Sequence, residues 1–372
     1  MGEELRCTIA LSLIRGLGVK TLKALLAAVG DAQSLMGESI DVLSKLPDMT
    51  ESLLEGFRGR DKVLARADAE LEFMSKYDVV GLTYLDSRYP ERLKKCDDAP
   101  SVIYVKGCVD FNRAKMLSIV GTRKSTEEGK MLCERIVGEL AQKCGDVVVV
   151  SGLAYGMDVC AHRAALRNDL PTIGVLAHGL DTLYPSAHRN TAIQMLQKGA
   201  LVTEYVSGVS PEAPNFVSRN RIVAGMTQGT LVVESRVKGG SLITARMAKE
   251  YGRTVMAVPG FPGMMGSEGC NGLIKRDGAM LVESADDVIR ALGWNVSREK
   301  RGETQSESLF GKSQSAEAQM IYKALLVEND QTASELSRVC NMEVSKVNVE
   351  LFGMEIDGIV KALPGGKYHL MS

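Results

Sequence analysis

The sequence contains no C-x-x-C pair, no zinc-ligand spacing and no apolar run approaching the length of a membrane span. Its eight cysteines, at positions 7, 96, 108, 133, 144, 160, 270 and 340, therefore read as free thiols of a reducing compartment, and no metal is expected. The first residues lack a basic segment leading into an apolar core, so a soluble, cytoplasmic protein without membrane association is expected. An excess of charge of one sign is also missing. With 45 Lys and Arg against 46 Asp and Glu, a polyanion has to be held by a local patch rather than by overall attraction. The dinucleotide fingerprint G-x-G-x-x-G is absent where an α/β fold would carry it. Gly121-Thr122-Arg123-Lys124 stands there instead, which excludes a nicotinamide cofactor, and no other cofactor is implied.

What is present is a rhythm. Six short apolar runs, at residues 117–120, 147–150, 173–176, 201–202, 231–233 and 255–258, each end in a loop rich in Gly, Ser, Lys or Arg. Helix-length segments such as residues 126–144 separate most of them, so an α/β fold is expected, with a Rossmann-like, mostly parallel sheet covered by helices on both faces. Ligands of such sheets bind beyond the carboxyl ends of the strands. That is where Gly121-Thr122-Arg123-Lys124, Ser151-Gly152 and Lys238-Gly239-Gly240-Ser241 fall, predicting a crevice of cations and free amides.

At 372 residues the chain has room for two or three domains. Residues 1–76 read as short helices. Within them Ile14-Arg15-Gly16-Leu17-Gly18-Val19-Lys20-Thr21 has the pattern of a helix-hairpin-helix (SAM-like) element, which aims amides at a phosphate, or simply of a small helical domain with a glycine turn. Leu46-Pro47-Asp48-Met49-Thr50 is a weaker copy without the glycine. Residues 77–294 form the sheet domain, with the segment before residue 107 expected to cover its edge. Residues 295–315 are polar and read as a linker. Residues 316–372 show three helices and a glycine-turned strand pair, a winged-helix-like pattern. Its third helix region carries Glu343, Glu350, Glu355 and Asp357 against Lys346, favouring a protein partner or regulation over reading a DNA groove.

Arg123 at a strand end suits a bidentate grip on phosphate, or a structural ion pair. Ser241 precedes an expected helix at residues 242–251, as an anion ligand or a plain cap, with Lys238 adding a full charge. Asn215-Phe216 and Arg219-Asn220-Arg221 lie in what reads as a proline-bounded loop followed by a helix. There Phe216 either stacks a base beside cations or anchors a core. Glu204, Glu234, Asp158 and His162 fall near strand ends, where an enzyme would place its acids and bases. Thr227-Gln228-Gly229-Thr230 before Glu234 echoes only the end of a nucleoside-monophosphate hydrolase signature.

The ordered blocks Tyr89-Pro90 with Leu93, Pro100 through Gly107, Ile119-Val120-Gly121-Thr122-Arg123, Val150-Ser151-Gly152 through Asp158, and Ala161-His162 resemble the DNA-processing protein A family (DprA, also called Smf). The match continues through Gly179-Leu180-Asp181, Thr203-Glu204-Tyr205, Asn215-Phe216, Arg219 to Gly225, Lys238 to Ala245, Val258-Pro259-Gly260 and Gly269 to Ile274. The family commonly has a basic residue three positions before the aromatic, where this chain has Ala213. The resemblance implies a single-stranded DNA-binding protein, not an enzyme. It would protect incoming DNA and help load the RecA recombinase during natural transformation, as a homodimer joined through its Rossmann-like domain. The alternative is a nucleotide-binding or nucleoside-monophosphate-hydrolysing enzyme on the same fold.

Overall fold

The structure, a computed structural model, describes residues 2–294, 315–356, 359–363 and 365–370. Nine strands form one sheet: β1 (Val80–Thr83), β2 (Val102–Gly107), β3 (Met116–Val120), β4 (Val148–Ser151), β5 (Thr172–Val175), β6 (Ala200–Thr203), β7 (Gly229–Val232), β8 (Thr254–Ala257) and β9 (Met280–Leu281). Their spatial order is β1-β2-β6-β5-β4-β3-β7-β8-β9. All six apolar runs became strands, and β6, β5, β4, β3, β7, β8 and β9 run parallel. Every residue of β3, β4 and β5 is buried, as expected when helices cover both faces of a parallel sheet. Two buried hydroxyls within this sheet satisfy one another: Ser118 and Thr230 share a 2.7 Å hydrogen bond across β3 and β7.

The connecting helices follow from ordinary end signals. The helix Glu127–Cys144 starts at Thr126, whose hydroxyl accepts from the Gly129 amide at 3.1 Å, and it buries Cys133, Ile136, Val137, Leu140 and Cys144 along one stripe. From β3 the chain builds outward through β4, β5 and β6. It then returns to lay β7 on the opposite side of β3 and continues to β8 and β9. The strand order therefore reverses between β3 and β7, and the loops beyond their carboxyl ends splay apart to leave a crevice.

The segment before residue 107 extends the sheet rather than covering its edge. Strand β2 pairs antiparallel with β6, setting Tyr104 against Thr203, and β1 pairs antiparallel with β2. The amino-terminal helices have no core of their own. Ile9, Leu11, Leu22, Leu35 and Phe57 belong to the same apolar cluster as Ile103, Tyr104 and Val175. Buried Glu70 adds a polar tie, accepting from the Ser207 amide at 2.9 Å and its hydroxyl at 2.6 Å while pairing with Arg66. Residues 1–76 are thus built into the sheet body. Their first hairpin turns through Gly16 at φ 86° into the helix Val19–Val29. In the weaker copy Asp48 takes the left-handed conformation at φ 59° ahead of the helix Glu51–Arg58.

The chain divides into two compact units, Met1–Ser297 and Arg298–Ser372. In the second, the helices Ala316–Val327, Ala333–Cys340 and Val344–Ile356 close over Ile321, Leu325, Leu336, Val347 and Leu351. Strands β10 (Gln331–Thr332), β11 (Val360–Leu363) and β12 (Lys367–Leu370) form an antiparallel sheet in the order β10-β12-β11, completing a winged-helix-like pattern. The short β10 had no sequence signal of its own. The linker, save Ser315, and Asp357 lie outside the described residues. Among the described residues no helix is long and apolar enough to cross a membrane.

Candidate nucleic-acid interface

The crevice is held open by a few backbone ties between the loops around it. The Thr122 amide donates to the Glu234 carbonyl at 2.8 Å and the Met157 amide donates to the Thr122 carbonyl at 3.1 Å, so the loops after β3, β4 and β7 are stitched together. The Glu234 carboxylate accepts from the Thr126 amide at 2.9 Å and its hydroxyl at 3.2 Å, where it fixes the start of the Glu127–Cys144 helix. Gly156 sits at φ 77° and ψ −121°, where a Cβ would run into the Thr122 carbonyl and the Arg123 backbone. Only glycine lets the loop after β4 press flat against the Arg123 loop. Leu153, three residues earlier, is itself left-handed at φ 55°.

Gly121, Thr122, Arg123, Gly152, Phe216, Asn220, Lys238, Gly239, Gly240 and Ser241 all line one cavity of about 470 Å³ between β3 and β7. Arg123 and Lys238 are exposed, and neither forms an ion pair among the described residues. The Arg123 guanidinium lies over the Phe216 ring at 5.1 Å from its centroid, within cation–π range. The Tyr184 ring meets Phe216 edge-on at 5.7 Å. Phe216 itself is half-buried, between the two alternatives the sequence left open. It lies inside the helix Ala213–Gly225, not in a loop. Pro214 occupies the first turn, where a missing amide costs nothing, so the proline begins the helix instead of bounding a loop.

Most other expected contacts are engaged within the protein itself. Arg219 is buried, and its guanidinium donates to the Gly152 carbonyl at 2.6 Å and to the Val175 carbonyl, filling the space a Cβ on Gly152 would occupy. It braces the strand ends while lining the wall of the same cavity. Burial lowers its pKa, an effect that the nearby Asp158 carboxylate opposes; burial likewise raises that of Asp158, against the pull of Arg219. Arg221 turns away to pair with half-buried Glu204 at 2.5 Å. Ser151 donates inside the sheet to the Ile119 carbonyl at 2.6 Å, and Asn215, in the first turn of its helix, donates back to the Ser210 carbonyl at 3.2 Å. Ser241 is not the cap of its helix. The helix Gly240–Glu250 begins two residues earlier than expected with Gly239 as cap, and the Ser241 hydroxyl donates to Ser235 at 2.9 Å. Lys124 is exposed on the far side of the Arg123 loop and lines a neighbouring groove.

One crevice cation escaped the sequence reading. Arg236 lines the cavity two residues before Lys238, and the run Arg236-Val237-Lys238-Gly239-Gly240 could have flagged it. The acids and bases named as enzyme candidates are engaged in structure: Glu204 with Arg221, Glu234 with the Thr126 helix start, and His162 with the Thr172 hydroxyl at 2.7 Å. Desolvation, with Arg219 and His188 nearby, pushes the His162 pKa down to about 3. Asp158 alone of the four reaches the cavity wall. The arrangement offers cations at the rim, an aromatic face and the amide-rich start of a helix, which together can hold an anionic, base-bearing ligand.

Residues 81–293 match the family model described as DNA recombination-mediator protein A. Protein Smf of Escherichia coli (strain K12) is 34% identical over 289 residues, covering 76% of this chain and 75% of that protein. The DNA processing protein DprA of Streptococcus pneumoniae is 39% identical over 207 residues, 55% of this chain and 71% of its own length. The X-ray structure of the Streptococcus pneumoniae DprA superposes with a TM-score of 0.64 at 31% identity, covering 76% of this chain and 95% of that one. The DNA processing protein A of Helicobacter pylori, whose structure was determined for its single-stranded DNA binding mode, superposes at 0.52 with 26% identity, over 58% of this chain and 96% of that one. With the crevice, its glycine-rich loops and the matched span in agreement, the chain belongs to the DNA recombination-mediator protein A family.

Proposed function

We propose that the chain binds single-stranded DNA in the β3–β7 crevice and acts, without catalysing a reaction, as a mediator that protects incoming strands and passes them to the RecA recombinase during transformation. The observation that carries this reading is the Arg123 guanidinium poised over Phe216 at the switch point, opposite the Lys238 loop. A phosphate held by Arg123 would bring the attached base toward the aromatic ring, and Arg236 and Lys238 offer further phosphate contacts. A duplex would keep its bases stacked inside and leave the ring without a partner, so single strands should be preferred. Dimerisation through the Rossmann-like body would join two such crevices into one longer track and raise avidity.

The test is a titration with single-stranded against duplex DNA, with a nucleoside monophosphate as competitor. Preferred binding of the single strand, undisturbed by the monophosphate, is the expected result. Tight binding or turnover of the free nucleotide would instead favour an enzyme on the same fold. Light scattering on the same samples reads the dimer.

A further inference from the structure

The loop of residues 121–124 has a second side. There an open groove of about 870 Å³ runs between the helices Glu127–Cys144 and Met157–Arg167 and residues 188–194. Arg123 lines both this groove and the crevice, so the two cavities meet at one guanidinium. The groove has its own aromatic. Tyr155 is 47% exposed, and its ring packs at 5.0 Å against His188, which is anchored by a 2.8 Å hydrogen bond between its Nδ1 and the Leu153 carbonyl. It also has its own cations. Lys130 and Arg167 are neutralised by Glu127 and Glu134, whereas exposed Lys124 and Arg163 form no ion pair among the described residues. Arg163 is steadied by a 3.2 Å bond from its Nε to the Thr191 hydroxyl.

A pocket for a single nucleotide needs one anion site and one aromatic face. A strand needs both repeated along a continuous path. Here the pairing of Arg123 and Lys238 with Phe216 on one side is followed by that of Lys124 and Arg163 with Tyr155 on the other. Gly156 holds the Tyr155 loop against the Arg123 loop, so the spacing between the two sets is fixed by backbone contact.

We propose that this groove is the continuation of the strand path beyond the crevice, with Tyr155 stacking a base, Lys124 and Arg163 holding phosphates, and Arg123 the ridge over which the strand passes. The proposal rests on the crevice reading, and the test separates the two. Tyr155→Ala, Arg163→Gln and Lys238→Ala of the full chain are titrated with oligothymidylates of about four and about twelve nucleotides over a range of salt. Tyr155→Ala should weaken the longer oligomer about tenfold with little change in salt slope, and Tyr155→Phe should restore it. Arg163→Gln should lower that slope by about 0.7. Neither should alter the shorter oligomer, which the crevice alone accommodates, while Lys238→Ala should weaken both. Equal losses at both lengths from Tyr155→Ala and Arg163→Gln, or no loss at either, with Lys238→Ala still weakening both, overturn the groove alone. Lys238→Ala without effect on either oligomer overturns the crevice and this extension with it.

Discussion

Phe216 and Arg219 lie three residues apart on one helix and do opposite work. Phe216 faces the crevice half-buried, so Phe216→Ala should cost roughly 1–3 kcal/mol of single-strand affinity with little change in salt slope, and Phe216→Trp should largely preserve it. A thermal melt of the alanine variant decides the role: a large fall would mark the ring as core, and an unchanged melt with weakened binding would mark it as a stacking face. Arg219 is a buried cation serving two carbonyls and facing Asp158. Arg219→Met should destabilise the fold by on the order of 3 kcal/mol, because it strands the Asp158 carboxylate, and adding Asp158→Asn should recover part of that loss in urea unfolding. His162 makes stability depend on pH. Its folded pKa of about 3 lies below the ordinary 6.5, so the unfolded chain takes up a proton that the folded chain refuses. The contribution is complete above about pH 6.5 and is lost as pH falls toward 3, by up to about 1.4 kcal/mol per unit. Urea midpoints between pH 7 and pH 4 should show this, and His162→Gln should flatten the decline.

At the scale of elements, the crevice exists because three loops are locked to one another rather than because any one of them is rigid. Gly156→Ala tests this without removing a candidate contact. Its Cβ would displace the Arg123 loop, costing roughly 1–3 kcal/mol of stability, and single-strand affinity should fall with it. Full affinity in a destabilised Gly156→Ala protein would show that the loop's position is irrelevant to binding. Arg123→Ala and Lys238→Ala, by contrast, should leave the melt unchanged, since both side chains project into solvent, and each should reduce the salt slope by about 0.7.

For the whole molecule, the first compact unit contains the entire nine-stranded sheet and every crevice residue. Ending the chain after Trp294 should therefore leave single-strand affinity within about twofold of the full chain, a change of under about 0.5 kcal/mol. A large loss would show that the acidic second unit takes part in binding. The third helix of that unit exposes Val349 and Phe352 alongside its carboxylates, a surface better suited to a protein than to a DNA groove. Removing residues 2–58, by contrast, should unfold the sheet body, because Ile9, Leu11 and Phe57 share its core.

The period and placement of apolar residues determined the six parallel strands, because a strand buried on both faces needs an unbroken apolar run whatever its neighbours are. The glycine and cation runs at their ends likewise marked the loops that line the crevice. Sequence alone did not decide which cations are left unpaired at the crevice. Arg219 and Arg221 stand two positions apart in one basic run, yet helical geometry and the nearest acceptors turn one onto the Gly152 and Val175 carbonyls and the other toward Glu204. Nor did it decide that residues 1–76 share the sheet's core, or that β1 and β2 lengthen the sheet. Those outcomes depend on which surfaces meet once the chain has folded, and local periodicity carries no information about partners distant in sequence.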